Sequence, residues 1–496
     1  MNIDTLFVHG TVIPMDPERR IIEDGALAVH EGRILEAGRS ADLLAKYRPA
    51  KTVDCKGKAV LPGFVDVHGH AGHALMKSVG MDAPSFWMGT VTPLYHHFTT
   101  DEFWRIEGRL AALERLRAGV TCGLSVISSA QRSDDPVFAV NNAEGYRDVG
   151  IRGIVAVGPS NPPYPRKFSR WKDGKRIEKE FGFDALMEGA EAAIDACQAM
   201  ADERIRAFIA PFVLITSVFG SGATPPDVCS ALSEQDRTMM RRVRDLAVRK
   251  KTRIHTEAFG GMVRLAARDE NALLGPDVHL HHCRGISLDE ALILARTGTH
   301  VSSSPGPQHG TSRCPLPELL SLGVNACVAT DGTTPANSFD LIQAARLTQL
   351  TQRMLTQNRY VLPEGTLLEM ITINAARAVG WDDEIGSLEP GKKADVVVFG
   401  LWKPHLAPNV MPVHKIMSKG VGGDIETVMV SGRFVMEDGR VLGVDEDEVL
   451  REGHEEALAT IRRAGIEAAL VPPKSFWGGA EMHFESKPEP RFNWDA

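Results

Sequence analysis

The chain has 496 residues, of which 43% are hydrophobic and 24% charged, a composition typical of a soluble globular protein. Its net charge of −8 argues against a nucleic-acid partner, and no apolar run reaches the roughly 18 residues that span a bilayer. Seven scattered cysteines without a CxxC pair, and a first segment without a basic-then-apolar signal pattern, predict a reduced, cytoplasmic protein.

Short strand patterns broken by turns occupy residues 1–60, and the same character returns at 386–445. Neither segment is large enough for a domain of its own, so we predict that they pair into one small β-sandwich. Residues 446–496 are predicted to form a C-terminal helix followed by an aromatic tail. Such a tail docks on its own chain or on a neighbouring subunit, and it favours a homodimer or a larger homo-oligomer.

Residues 61–385 alternate strand patterns with helix patterns, apart from a polar, proline-rich insertion at 158–183. Strands that alternate with helices indicate parallel βα units, and eight units predict a (β/α)8 barrel of the TIM type. A doubly wound open sheet is the alternative architecture. The predicted strands are 64–70, 120–126, 152–157, 206–215, 253–257, 278–283, 300–303 and 326–330.

The first predicted barrel strand ends in His68 and His70, with only Gly69 between them. Because successive strand side chains alternate between the two faces, both imidazoles point the same way. Neutral imidazole is a common ligand of zinc and other transition metals. Two histidines near a turn are also common as surface residues, so the other strand ends decide between the two interpretations.

Several strand ends carry imidazoles or carboxylates, and the C-terminal ends of the strands form the active site of a βα barrel. Three histidines and one aspartate would hold a catalytic d-block metal ion with one position left for water. The side chains at these strand ends are His68, His70, His255, Glu257, His279, His281, His282 and Asp331.

Alternation also predicts which of these side chains face the barrel axis. His255 and Glu257 are two residues apart, so both are expected to point inward. His279 and His281 share one face of the sixth strand, and His282 is predicted to face the other way. At least one of these three histidines is therefore expected to lie outside the site.

Four motifs together resemble the amidohydrolase superfamily over nearly all of the chain up to about residue 445. They are Leu-Pro-Gly-Phe-Val-Asp-Val-His-Gly-His at 61–70, His-Cys at 282–283, Ala-Thr-Asp-Gly at 329–332 and Gly-Ser-Leu-Glu-Pro-Gly-Lys-Lys-Ala-Asp at 386–395. The closest likeness is to the deaminase and chlorohydrolase branch, which includes triazine hydrolases, guanine deaminase and S-adenosylhomocysteine deaminase. The resemblance implies a metal-dependent hydrolase that uses activated water to displace an amine or a halide from an N-heterocyclic small molecule.

The resemblance also implies roles for individual residues. The metal ligands would be His68, His70, His255 and Asp331, and the catalytic residues would be Glu257, His282 and Asp331. Members with two metals usually have a bridging lysine or glutamate on the fourth strand, and residues 207–215 contain neither. We therefore expect one divalent ion, zinc before iron or cobalt.

The chain departs from this branch at the fifth strand, where His-Thr-Glu replaces the usual His-x-x-Glu. This shorter spacing, together with extra histidines in the loop after the first strand, motivates a second hypothesis. It keeps the same mononuclear site but cleaves a urea, carbamate or amide C–N bond. A non-catalytic barrel is a third hypothesis, which the complete ligand set opposes.

Residues expected to line the substrate pocket are His73, Trp87, His96, His97, Ser303 and His309.

Overall fold

The computed structural model describes residues 1–79, 91–172, 174–218, 232–305, 312–334 and 337–472. Two large sheets dominate these ranges: a parallel sheet that forms a barrel, and a mixed sheet built from both ends of the chain. In the described ranges, no helix is long and apolar enough to cross a membrane. The cysteines among them, Cys55, Cys122, Cys197, Cys283, Cys314 and Cys327, are buried and free.

The elements follow one another in the order expected for a barrel inserted into a β-rich module. The strands are β1 (Asn2–Val12), β2 (Ile22–His30), β3 (Arg33–Arg39), β4 (Arg48–Asp54), β5 (Lys58–Pro62), β6 (Phe64–Asp66), β7 (His70–Ala71), β8 (Val120–Ile127), β9 (Arg152–Val157), β10 (Arg166–Lys172), β11 (Lys175–Phe181), β12 (Ile205–Ile209), β13 (Ile254–Phe259), β14 (Val278–Arg284), β15 (His300–Ser303), β16 (Ala326–Val328), β17 (Val396–Gly400), β18 (Ile425–Val430), β19 (Arg433–Glu437) and β20 (Arg440–Val441). The α-helices are α1 (Ser40–Lys46), α2 (Thr92–His97), α3 (Asp101–Arg117), α4 (Val137–Val149), α5 (Phe183–Ala199), α6 (Glu234–Lys250), α7 (Met262–Ala266), α8 (Leu288–Thr297), α9 (Leu316–Ser321), α10 (Leu341–Leu355), α11 (Glu364–Met370), α12 (Ile373–Ala378), α13 (Pro412–Lys419) and α14 (Glu446–Ala464).

The barrel consists of β6, β8, β9, β12, β13, β14, β15 and β16, paired in parallel in this order. The last strand returns to the first, since the Asp331 backbone N–H donates to the His68 carbonyl at 3.0 Å. Alternate strand residues, among them Val65, Leu124 and Phe208, form a buried apolar cluster inside the sheet. The predicted (β/α)8 fold is therefore confirmed.

The barrel helices begin and end where their sequences provide caps. Helix α8 starts at Ser287, which forms a reciprocal capping box with Glu290, and it ends at Gly298 with φ of 69°. Helix α3 starts after Thr100, whose side chain accepts from the Phe103 backbone N–H. These caps are local signals that mark the helix ends in the sequence.

The insertion at 158–183 contains a feature that the sequence analysis did not predict. Strands β10 and β11 pair there as an antiparallel hairpin. Six of the seven residues of β11 are exposed, so this strand lacks the apolar alternation that marks a half-buried strand. The Trp171 indole N–H donates to the His97 carbonyl at 2.7 Å, which joins the hairpin to α2.

The mixed sheet joins the two ends of the chain. Strand β17 pairs antiparallel with β5, which confirms that the two strand-rich segments come together. At the boundary with the barrel, the buried Arg152 guanidinium forms two hydrogen bonds to Asp395, at 2.8 and 3.0 Å. The predicted limits 1–60 plus 386–445, 61–385 and 446–496 stay a prediction, and the aromatic tail lies outside the described residues.

Candidate active site

Three predicted metal ligands meet at the mouth of the barrel. Asp331 Oδ1 lies 3.5 Å from His68 Nε2 and 3.4 Å from His70 Nε2. A tetrahedral ion with bonds of about 2.1 Å separates its ligand atoms by about 3.4 Å. His68 Nε2 is buried and has no hydrogen-bond partner among the described residues. The donor atoms and their spacing therefore fit a divalent metal ion.

Neighbouring groups orient two of these ligands. His70 Nδ1–H donates to the Ser128 carbonyl at 3.0 Å, which leaves Nε2 with a lone pair for the site. Ser304 Oγ–H donates to Asp331 Oδ2 at 3.0 Å, and Oδ1 stays directed at the histidines. Sequence reasoning missed Ser304, because nothing in the run Ser302-Ser-Ser304 marks one hydroxyl as different from the others.

His255 lies beside this group but does not face Asp331. Its Nε2 is 2.8 Å from His68 Nδ1, and its Nδ1 is 3.0 Å from His279 Nδ1. The nitrogen that an ion would bind therefore lies within hydrogen-bonding distance of His68 in this structure. The structure brings His255 to the site, and its role as a ligand stays a prediction.

Glu257 points into the mouth, as its two-residue spacing from His255 on β13 led us to expect. Its Oε1 lies 3.6 Å from His70 Nε2, and its Oε2 lies 3.7 Å from His282 Nε2. The shorter His-Thr-Glu motif thus still places the Glu257 carboxylate between the imidazoles of His70 and His282.

The orientation predicted for the sixth strand was wrong. His281 and His282 both face the site: His281 Nε2 is 3.8 Å and His282 Nε2 is 4.0 Å from Asp331 Oδ2. Strand alternation fails because His282 and Cys283 have left-handed backbone angles, with φ of 68° and 47°. The ring of His281 also stacks on that of His68, with centroids 3.6 Å apart. We call His68, His70, His255, Glu257, His281, His282 and Asp331 the mouth cluster.

Burial makes most of these histidines weak bases. It lowers the pKa of His68, and it lowers the pKa of His255 and His281 well below the ordinary value, with nearby histidines adding to the effect. For His70, burial also opposes protonation, but the Asp331 and Glu257 carboxylates outweigh it and raise the pKa. Neutral imidazoles keep the lone pairs that a metal ion requires.

A second polar group lies directly beneath the mouth cluster, centred on the buried Arg115. Its Nε donates to Asp66 Oδ2 at 2.9 Å, and Asp66 in turn accepts from the backbone N–H and hydroxyl of Thr330 at 3.1 and 2.7 Å. Any side chain at position 69 would start 2.4 Å from Arg115 Nη2, so Gly69 is required between the two histidines. Arg115 Nη1 donates to Ser125 Oγ at 3.3 Å, and the Ser125 and Tyr146 hydroxyls lie 2.8 Å apart. We call Asp66, Arg115, Ser125, Tyr146 and Thr330 the Arg115 layer.

Two of the predicted pocket residues lie next to the mouth cluster. The His73 ring stacks on that of His70, with centroids 4.9 Å apart, and its Nε2 is 2.7 Å from Ser129 Oγ. Ser303 is buried at the end of β15, immediately before Ser304.

The other pocket predictions fall elsewhere. His96 Nε2–H donates to the Ala130 carbonyl at 2.7 Å, and His97 Nδ1 is 3.0 Å from Ser169 Oγ on the hairpin. Both histidines therefore have partners in the region where α2 meets the hairpin. Trp87 and His309 lie outside the described residues. A pocket role for all six positions stays a prediction.

A family model described as the amidohydrolase family matches residues 59–435. The chain belongs to the amidohydrolase family. It is 28% identical over 464 residues to a 5-methylthioadenosine/S-adenosylhomocysteine deaminase of Syntrophobacter fumaroxidans, covering 90% of this chain and 96% of the relative. The deaminase of the same name from Desulforudis audaxviator is 30% identical, with coverage of 88% and 95%. A 5'-deoxyadenosine deaminase of Methanosarcina mazei is 27% identical, with coverage of 93% and 99%.

Solved structures of amidohydrolase fold are also similar. An adenosine deaminase from Xanthomonas campestris with bound zinc matches with a TM-score of 0.79 at 23% identity, covering 93% of this chain and 99% of the other. Atrazine chlorohydrolase from Arthrobacter aurescens, complexed with zinc, matches with a TM-score of 0.73 at 20% identity, covering 91% and 100%. These likenesses bear on the fold. The family match and the relatives confirm the predicted class of amidohydrolase, a hydrolase that acts on carbon–nitrogen bonds.

Proposed function

We propose that this amidohydrolase is a mononuclear metal-dependent deaminase that removes an exocyclic amino group from an N-heterocycle of the adenine nucleoside class. The observation that carries the proposal is the placement of Glu257 between two imidazoles, beside three donor atoms with metal-ligand spacing. Relatives that align over nearly their whole length are deaminases of adenine nucleosides by name, which supports the substrate class.

The proposed ion, zinc before iron or cobalt, would be held by His68, His70 and Asp331, with His255 as the fourth ligand. When bound, a divalent ion polarises an oxygen of the substrate or lowers the pKa of water towards neutrality. The buried, unpartnered Nε2 of His68 supports an ion at this position. A homodimer or larger homo-oligomer and a cytoplasmic location stay predictions.

The side chains around this position provide the proton transfers of a deamination. Asp331 Oδ2 accepts the Ser304 hydroxyl and faces His282, so this carboxylate is held ready to take a proton from the attacking water. Glu257 lies across the mouth, where it can give a proton to a ring nitrogen of the substrate. Two carboxylates in different surroundings thus divide the roles of base and acid.

The test is ammonia release by purified protein of measured zinc content. The panel contains 5'-methylthioadenosine, S-adenosylhomocysteine, 5'-deoxyadenosine, a chlorotriazine and a substituted phenylurea. We expect ammonia from at least one adenine nucleoside. Chloride release alone would make the protein a chlorohydrolase, and amine release from the urea alone would establish the second hypothesis; either result contradicts the proposal.

Replacing Glu257 by glutamine tests its role. Positioned acids and bases typically contribute about 10²- to 10⁴-fold, so we expect kcat for the best nucleoside to fall by about that factor. Zinc content should stay at the wild-type value, because Glu257 is not one of the proposed ligands. The matched control is Glu270→Gln at an exposed position, which should leave kcat unchanged. Wild-type kcat in the Glu257→Gln variant would contradict the assignment.

A further inference from the structure

An unbroken chain of hydrogen-bonding distances runs from His255 across two neighbouring strands and back to the site. His255 Nδ1 is 3.0 Å from His279 Nδ1, and His279 Nε2 is 2.8 Å from Ser302 Oγ. Ser302 Oγ is in turn 2.7 Å from His281 Nδ1. The strand register creates this chain, because His255 lies opposite His279 and His281 lies opposite Ser302.

All four members of the chain are enclosed by the barrel. Their exposed fractions are 1% or less. Polar groups buried in this way must find partners inside the protein, so each ring nitrogen and the hydroxyl are constrained by their neighbours. Neither the ligand set nor the acid–base pair of the proposed function uses His279, His281 or Ser302.

Counting hydrogens gives this chain a direction. If His255 keeps a lone pair on Nε2, its one hydrogen is on Nδ1 and is donated to His279 Nδ1. His279 then carries its hydrogen on Nε2 and donates it to Ser302 Oγ. Ser302 donates its own hydrogen to His281 Nδ1. The hydrogen of His281 is left on Nε2, which faces Asp331 Oδ2 at 3.8 Å.

We propose that His279 and Ser302 are positioning residues that hold His255 in the tautomer able to bind the metal ion and make His281 an N–H donor towards Asp331. This proposal rests on the metal site of the proposed function. Metal-bound histidines typically donate their second N–H to an acceptor that fixes the ring. Here that acceptor is the imidazole of His279. Its Nδ1 can accept because its own hydrogen is on Nε2 and is donated to Ser302.

The same direction is consistent with the contact between His255 and His68. With the hydrogen of His255 on Nδ1, its Nε2 accepts from His68 Nδ1 at 2.8 Å. The lone pair of His68 then lies on Nε2, the buried atom without a hydrogen-bond partner in the described part of the chain. The reverse direction would place hydrogens on Nε2 of both His68 and His255, where an ion could not bind.

The test compares Ser302→Ala with Ser302→Thr, which keeps the hydroxyl, in the full-length protein. Zinc affinity is measured by competition with a chromophoric chelator, and the site geometry by the visible absorption of the cobalt(II)-loaded protein. We expect Ser302→Ala to weaken zinc binding by about 10- to 100-fold, the usual effect of losing an outer partner of a metal ligand. Its cobalt spectrum should change, while Ser302→Thr stays close to wild type. Ser321→Ala, at an exposed position, is the control.

Wild-type zinc affinity and an unchanged cobalt spectrum in Ser302→Ala would overturn the proposal, and so would equal weakening in Ser302→Thr. If circular dichroism shows that Ser302→Ala is unfolded, His279→Gln and His279→Leu replace it. The glutamine amide can both accept and donate, so it should bind zinc more tightly than the leucine variant; equal affinities would overturn the proposal. None of these measurements needs a substrate, so a failure of the deaminase assignment is distinguishable from a failure of the positioning role.

Discussion

The mouth cluster and the Arg115 layer are adjacent polar groups, both buried in the barrel. They differ in whether their buried polar atoms have hydrogen-bond partners. In the Arg115 layer, Asp66 accepts from the guanidinium of Arg115 and from both donors of Thr330. In the mouth cluster, His68 Nε2 and His281 Nε2 are buried without a hydrogen-bond partner among the described residues. A polar atom left in this way costs about 1–3 kcal/mol.

This difference is the one expected between a structural network and a binding site. A fully paired buried network gains from the low dielectric constant around it, and a partly paired one is destabilised by the same surroundings. The Arg115 layer therefore holds β6 and the end of β16 in place, whereas the mouth cluster keeps at His68 Nε2 the lone pair that the proposed metal ion would use. Two predictions test this division, and a third concerns a buried histidine outside both groups.

The largest effect is expected from Arg115→Met. Removing one partner of a buried ion pair leaves the other charge unpaired, so the free energy of unfolding should fall by about 3–5 kcal/mol. Urea denaturation of the zinc-free protein measures this. Arg451→Met, at an exposed position of α14, is the matched control and should change little. If the free energy of unfolding falls by less than about 1 kcal/mol in Arg115→Met, the structural role of the Arg115 layer is contradicted.

Zinc should stabilise the protein through the mouth cluster alone. At free zinc one hundred times above its Kd, binding raises the free energy of unfolding by about 2.7 kcal/mol. His68→Ala should lose this increment, while Arg115→Met should keep it on a lower baseline. Denaturation with and without a chelator measures the increment in each variant. An equal increment in His68→Ala would show that zinc binds elsewhere.

The smallest effect concerns pH and the buried imidazole of His96, which lies outside both groups. Burial lowers the pKa of His96 to about 3, whereas the unfolded chain takes up this proton near 6.5. The stability due to neutral His96 is thus complete above pH 6.5 and declines as the pH falls towards 3. At pH 5 the loss is about 2 kcal/mol. Urea denaturation should show that the free energy of unfolding falls less between pH 7 and pH 5 in His96→Gln than in the wild type. An equal fall in both proteins would contradict the lowered pKa of His96.

The barrel and most of the site could be predicted from the sequence because their signals are local. Strand periodicity places His68 and His70 on one face, and a strand that ends in an acid before glycine places Asp331 at the mouth. Helix caps such as Ser287 with Glu290 are also encoded within four residues.

What escaped prediction depends on contacts between distant segments or on backbone angles that no pattern encodes. In the sequence, Arg115 looks like any arginine of a helix, and only the packing of α3 beneath the site brings it to Asp66. Ser304 differs from its neighbours only in its hydrogen bond to Asp331. Strand alternation predicts that the His282 ring points away from the site, but the left-handed backbone angles at His282 and Cys283 turn it towards the site. The hairpin escaped because β11 is a charged, exposed strand.

The pairing of β5 with β17 has a consequence for biosynthesis. Strand β5 ends at Pro62, and its antiparallel partner begins at Val396. At ribosomal rates of about 5–20 residues per second, this edge waits roughly 20–70 seconds for its partner. An open strand edge invites pairing with other chains, so the nascent protein is expected to need chaperone protection until β17 emerges.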